Sequence, residues 1–117
     1  MFPKIVPFSI IGGTGSTLDF YVPLPVRCTI KSIQAAASAD PGDAETITAL
    51  DGSNTVGVLT YGSSIAPGAT GTYAADATYG ATIFDAGDVV KLTISQLTAA
   101  ATFVGYIVVD EFALTVQ

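Results

Sequence analysis

Apolar and polar residues alternate with a period of two along most of the chain, the spacing of strands that bury one face. Leu18, Phe20 and Val22 fall on one side, with Asp19 and Tyr21 on the other. Val26, Cys28 and Ile30 alternate with Arg27, Thr29 and Lys31, and Val90, Leu92 and Ile94 with Lys91, Thr93 and Ser95. No useful stretch carries apolar residues at helical spacing; Ala35 to Ala37 is short and lies between strand and turn signals. Turn chemistry separates the runs. Asp40-Pro41-Gly42-Asp43, Asp51-Gly52-Ser53-Asn54 and Asp85-Ala86-Gly87-Asp88 each join a residue that presets or bonds the local backbone to a glycine that accepts positive φ. Gly12 to Gly15 reads as a further turn, and Pro67 to Gly71 as a flexible loop. About eight strand candidates lie between them, over 4–10, 16–22, 26–36, 44–50, 55–61, 70–75, 78–84 with 88–96, and 101–116. Short strands at this spacing predict an all-β sandwich or barrel.

The last segment is the most informative. Sixteen extended residues would run to roughly 50 Å, so a bend or bulge is expected near Gly105. Phe103, Ile107 and Val109 share one parity, and Val104, Tyr106 and Val108 the other. A strand apolar on both faces is covered on both faces. One sandwich covers only the inner one. The second cover is either another subunit or an N-terminal arm carrying Phe2, Val6 and Phe8. The candidate subunit-contact residues are therefore Phe2, Phe8, Val104, Tyr106 and Val108.

Composition narrows the function. At 117 residues the chain is expected to be a single β-sandwich domain over 1–117, with 1–13 a candidate arm. Four basic against ten acidic residues, a net charge of −6, argue against binding a phosphate backbone. The start holds no long apolar run, so a secretory signal is not expected. Leu92 to Val109 is free of charge over 18 positions, but its early alternation is that of a strand and not of a membrane helix. Low charge beside abundant Ala, Thr and Gly suits close contact with another protein.

Candidate chemistry is sparse. With no His, a Cys–His nucleophile cannot form, and Cys28 sits on the expected core face. Asp40, Asp43 and Glu45 could bind a cation through oxygen ligands, but carboxylates beside Pro and Gly are ordinary turn residues, and no calcium-loop spacing is present. Asp85 with Asp88, and Asp110 with Glu111, read the same way. Gly12-Gly13-Thr14-Gly15-Ser16 lacks the Lys and helix of a phosphate cradle. Ser63 and Ser64 have no base nearby in sequence. Tyr61, Tyr73 and Tyr79 lie in an uncharged, loop-rich stretch and could be core residues, a sugar platform or a protein contact. Arg27 and Lys31 form a small outward basic pair. No catalytic residue, cofactor site or metal site is expected, and the chain does not read as an enzyme.

The chain resembles the small jelly-roll decoration, or cement, proteins of tailed bacteriophage heads. The likeness lies in Pro25-Val26-Arg27-Cys28-Thr29-Ile30, in Ala44-Glu45-Thr46-Ile47-Thr48, in the step Phe84-Asp85-Ala86-Gly87-Asp88-Val89-Val90-Lys91-Leu92, and in the closing run Phe103 to Val109. It covers most of residues 25–116. It implies a jelly-roll-like antiparallel β-sandwich and a structural role without catalysis. Such proteins form homotrimers on the capsid exterior, contact the major capsid protein and bridge capsomers. Partners expected from this are the chain itself and that shell protein, with no nucleic acid and no membrane, after synthesis in the host cytoplasm. Trimeric fibre knobs and receptor-binding tips are similar too, which leaves a receptor- or carbohydrate-binding module as the alternative.

Overall fold

The alternating runs pair into two antiparallel sheets. A computed structural model describes residues 2–12, 17–42, 45–95 and 99–112. Its strands are β1 (Phe2–Gly12), β2 (Leu18–Pro23), β3 (Cys28–Ala37), β4 (Thr46–Asp51), β5 (Asn54–Thr60), β6 (Thr72–Ala75), β7 (Ile83–Phe84), β8 (Val89–Ile94) and β9 (Ala101–Glu111). One sheet runs β1-β9-β3-β7, the other β2-β8-β4-β5-β6. The pairings nest: first with last, β2 with β8, β3 with β7, and β4 with β5 at the innermost hairpin. That nested wrapping of one long hairpin over itself is a jelly-roll arrangement, with β6 added at one edge. The fold is an all-β sandwich, as the alternation predicts.

The inward parities of both sheets form one core. Ile10, Phe103, Ile107 and Ile33 come from the first sheet, and Ile47, Leu59, Leu92 and Ile94 from the second; all are essentially solvent-free. Cys28 is buried among them. Burial pushes its thiol pKa up, and the charge on Glu111 adds to the rise.

The turns over 51–54 and 85–88 fall where expected, while 13–15 of the first predicted turn and Asp43 lie outside the described residues. Gly52 (φ 61) closes the β4–β5 hairpin and Gly87 (φ 90) the β7–β8 turn, conformations an L side chain resists. The second turn is clamped to the body: Asp88 accepts from the Asp85 N–H, Leu24 N–H donates to the Asp88 carbonyl, and Gly87 N–H donates to the Leu24 carbonyl.

Four expectations change. The 78–84 strand shrinks to Ile83–Phe84, because Asp76 draws the chain into a turn. Its carboxylate accepts from the N–H groups of Thr78 and Tyr79, and its carbonyl from that of Gly80. The irregularity expected near Gly105 sits instead on the neighbour: register shifts on β3 between Ile30 and Ser32, leaving Lys31 as the extra residue. Pairing runs unbroken through Gly105 on both sides. There the glycine serves close approach, since a Cβ would overlap the Gln34 carbonyl oxygen. The arm is also no arm. Residues 2–12 lie beside β9 along its length, so they extend the sheet rather than cover it. Pro3 and Pro7 suit that edge position, where a missing N–H costs little and blunts pairing with another strand.

The 67–71 loop, read as flexible, has a fixed task. β7 covers only Cys28 and Thr29 of β3, leaving the rest of that edge open. Ala37 N–H donates to the Ala69 carbonyl, Gly68 N–H to the Ala37 carbonyl, and Thr70 bridges Ala36. The chain then crosses to β5 as β6 and so closes one side of the sandwich.

Candidate functional site

The outer face of the β1-β9-β3-β7 sheet is the most distinctive surface. Register sets its rows. Ile5, Val108 and Ser32 lie side by side, then Pro7, Tyr106 and Gln34, then Ser9, Val104 and Ala36, with Ile11 beside Thr102 at the end. None of these eleven side chains carries a charge at neutral pH. Ile5 is 64% exposed, Ile11 73%, Val104 57% and Tyr106 37%. Three strands at about 4.8 Å spacing and seven residues at about 3.3 Å give a patch on the order of 300 Å2. Isolated apolar residues are normal on a surface; here Ile5, Pro7, Ile11, Val104, Tyr106 and Val108 adjoin one another, with Ser9, Ser32, Gln34 and Thr102 among them. Lys31 at the bulge and Asp110 lie at one end of it.

Of the predicted contact residues, Val104, Tyr106 and Val108 share this face, Val108 half-buried. Phe8 does not. It points inward and packs, partly buried, against the core, as Val6 does more fully. Phe2 begins β1 opposite Glu111, and its side chain lies outside the described residues. Parity explains the difference: the outward residues of β1 are Ile5, Pro7, Ser9 and Ile11, which reasoning from the aromatic residues missed. The alternation Ile5-Val6-Pro7-Phe8 was the available signal, apolar on both parities like β9 itself.

The tyrosine stretch forms no platform. Tyr61 is buried; its hydroxyl donates to the Ala35 carbonyl and its ring lies tilted against Phe103 at 5.2 Å. Burial pushes its pKa up to about 12, against a smaller lowering by a backbone hydrogen bond from Gly71. Tyr73 lies over Gly57, where a Cβ would overlap its ring. Its buried hydroxyl finds no partner among the described residues, and burial raises its pKa. Only Tyr79 is exposed, beside the Asp76 turn.

The acidic candidates act as structure. Asp40 accepts from the Gly42 N–H, and Asp43 lies outside the described residues. Glu45 is buried and accepts from the Ser95 hydroxyl, which in turn accepts from the Thr46 N–H, tying β4 to the end of β8. Among the described residues, no three His, Cys, Asp or Glu side chains are grouped to hold a metal ion. Arg27 and Lys31 do not act as a pair. Arg27 bridges Asp85 and stacks over the Phe112 ring, while Lys31 stands out at the bulge. Among the described residues, no helix is long and apolar enough to cross a membrane. Comparison with family models, curated proteins and solved structures found no match.

Proposed function

We propose that this chain is a virion structural protein, a decoration subunit that sits on the outside of a phage head, contacts its major capsid protein and assembles as a homotrimer. One observation carries the proposal: a strand-built patch of eleven outward side chains, none charged and seven of them apolar, on a chain of net charge −6. Copies that share a charge of that sign repel one another. They approach most cheaply where no ion must be desolvated. With this face turned toward a threefold axis, one half of it meets the other half on the next copy, a head-to-tail contact that closes after three subunits. The prolines of β1 turn assembly away from edge pairing and toward the face. Many copies on a lattice then convert modest single contacts into firm attachment, so a decoration subunit needs shape and stiffness and no catalysis.

The test is co-sedimentation of the purified chain with empty, expanded heads of its own phage. Saturable binding in multiples of three per capsomer junction is expected, with loss of binding in Tyr106→Asp. Absence of binding by a properly folded chain would overturn the capsid assignment, whatever its oligomeric state.

A further inference from the structure

The opposite outer face carries a second surface that the self-contact does not use. There β2 lies beside β8, with Tyr21 opposite Lys91 and Pro23 opposite Val89, and Leu50 of β4 flanks Lys91 from the other side. The β4–β5 turn stands next to this row. Tyr21, Val89, Lys91, Gly52 and Ser53 together line an open depression of about 460 Å3. Its chemistry is mixed. The Tyr21 ring is 66% exposed and Val89 43%, so both offer an apolar floor to solvent. Gly52 leaves open space above its backbone. Ser53 contributes a hydroxyl at the rim.

Lys91 is the deciding group. Lys4 pairs with Glu111 and Arg27 with Asp85, each across the same end of the sandwich. Among the described residues Lys91 has no carboxylate within ion-pair distance, and the depression is built around it. An aromatic face, an aliphatic neighbour, a hydroxyl and one unmatched ammonium on rigid strands fit a ring that is apolar on its flat side and carries one anionic group.

We propose that the Tyr21–Lys91 depression binds a carboxylated sugar, a uronic-acid type residue that stacks on Tyr21 and places its carboxylate on Lys91. This site stands independently of the capsid reading: a decoration subunit and a free protein could both carry it. Asp19 stands one row away on the same face, where its carboxylate accepts from the Thr93 hydroxyl and makes no ion pair with Lys91; salt screens its field over about 8 Å.

The experiment is a two-dimensional amide NMR titration of the full chain with glucuronate, glucose and acetate in parallel. Glucuronate is expected to shift the amides of Tyr21, Gly52, Ser53, Val89 and Lys91 saturably, about tenfold more tightly than glucose or acetate, the factor one charged hydrogen bond supplies. Lys91→Gln should remove that tenfold preference, and Tyr21→Ala should weaken both sugars while leaving acetate unchanged. Both positions face solvent, so the spectra report folding directly. Equal binding of glucuronate and glucose would overturn the ammonium's role. Equal binding of glucuronate and acetate would reduce the site to a counter-ion contact. No localised shift with any of the three, or a glucuronate response that survives Lys91→Gln, would overturn the proposal outright.

Discussion

Tyr61→Phe removes one oxygen from the core, and two observables bear on its effect. The Tyr61 hydroxyl donates to the Ala35 carbonyl, on the stretch of β3 that β7 does not reach. Phe would fit the ring against Phe103 but leave that carbonyl without its donor. A buried acceptor so orphaned costs about 1–3 kcal/mol. The variant should therefore lose about 2 kcal/mol at pH 7. The pH dependence supplies the second reading. In the folded chain burial holds the Tyr61 phenol up to about 12, against 10.0 for a free one. The folded state keeps its proton while the unfolded chain gives it up. The contribution is thus fully present below pH 10, falls as pH rises from 10 to 12, and levels off above. Two pH units correspond to about 3 kcal/mol. Tyr73 also titrates high, but it is present in both proteins and cancels in the difference. Urea unfolding followed by far-ultraviolet circular dichroism at pH 7, 10, 11 and 12 gives both curves. They should start about 2 kcal/mol apart and converge or cross by pH 12. Curves that stay parallel over that range would refute the reasoning, because they would mean the phenol is not held protonated by the fold.

Three further outcomes follow from the same physics. Tyr73→Phe is the chemical twin with the opposite sign: its buried hydroxyl has no partner among the described residues, so its removal should leave urea stability unchanged or raise it by about 1 kcal/mol. Gly105→Ala should cost about 3 kcal/mol by thermal or urea unfolding, since a Cβ would overlap the Gln34 carbonyl and strand backbones yield poorly. Val104→Asp should change urea stability measured on the monomer by less than about 1 kcal/mol, because the side chain is 57% exposed, yet it should abolish association on a sizing column.

Much of the fold is legible from alternation and turns because each signal is local. Period-two runs mark the inner faces of β2, β8 and the start of β3, up to the bulge at Lys31 beyond which Ile33, Ala35 and Ala37 take the inner parity, and glycine marks the turns at Gly52 and Gly87. What local pattern does not carry is competition and parity over distance. The 78–84 run reads as strand until the Asp76 carboxylate captures two backbone N–H groups ahead of it. The bulge expected on β9 formed on β3, since either partner of a ladder can absorb a register mismatch and only the pairing decides which. The apolar outer face was half legible. Val104, Tyr106 and Val108 announced it from within one strand. Its other half, Ile5, Pro7 and Ile11, depended on β1 lying beside β9, which sets the parity of a segment with apolar residues on both. The Tyr21–Lys91 depression was not legible at all, because a hairpin turn from β4 and β5 completes it.

The central claim, that the outer face of the β1-β9-β3-β7 sheet joins copies of this chain, is tested most directly by absolute mass in solution. Light scattering on a sizing column, over a hundredfold dilution and for the natural chain beside Tyr106→Asp, gives the answer in one series. The account predicts a species near three times the 11.9 kDa chain mass that holds on dilution, and a monomer for the variant. A natural chain that is monomeric at every concentration, or a variant that remains a trimer, would contradict it.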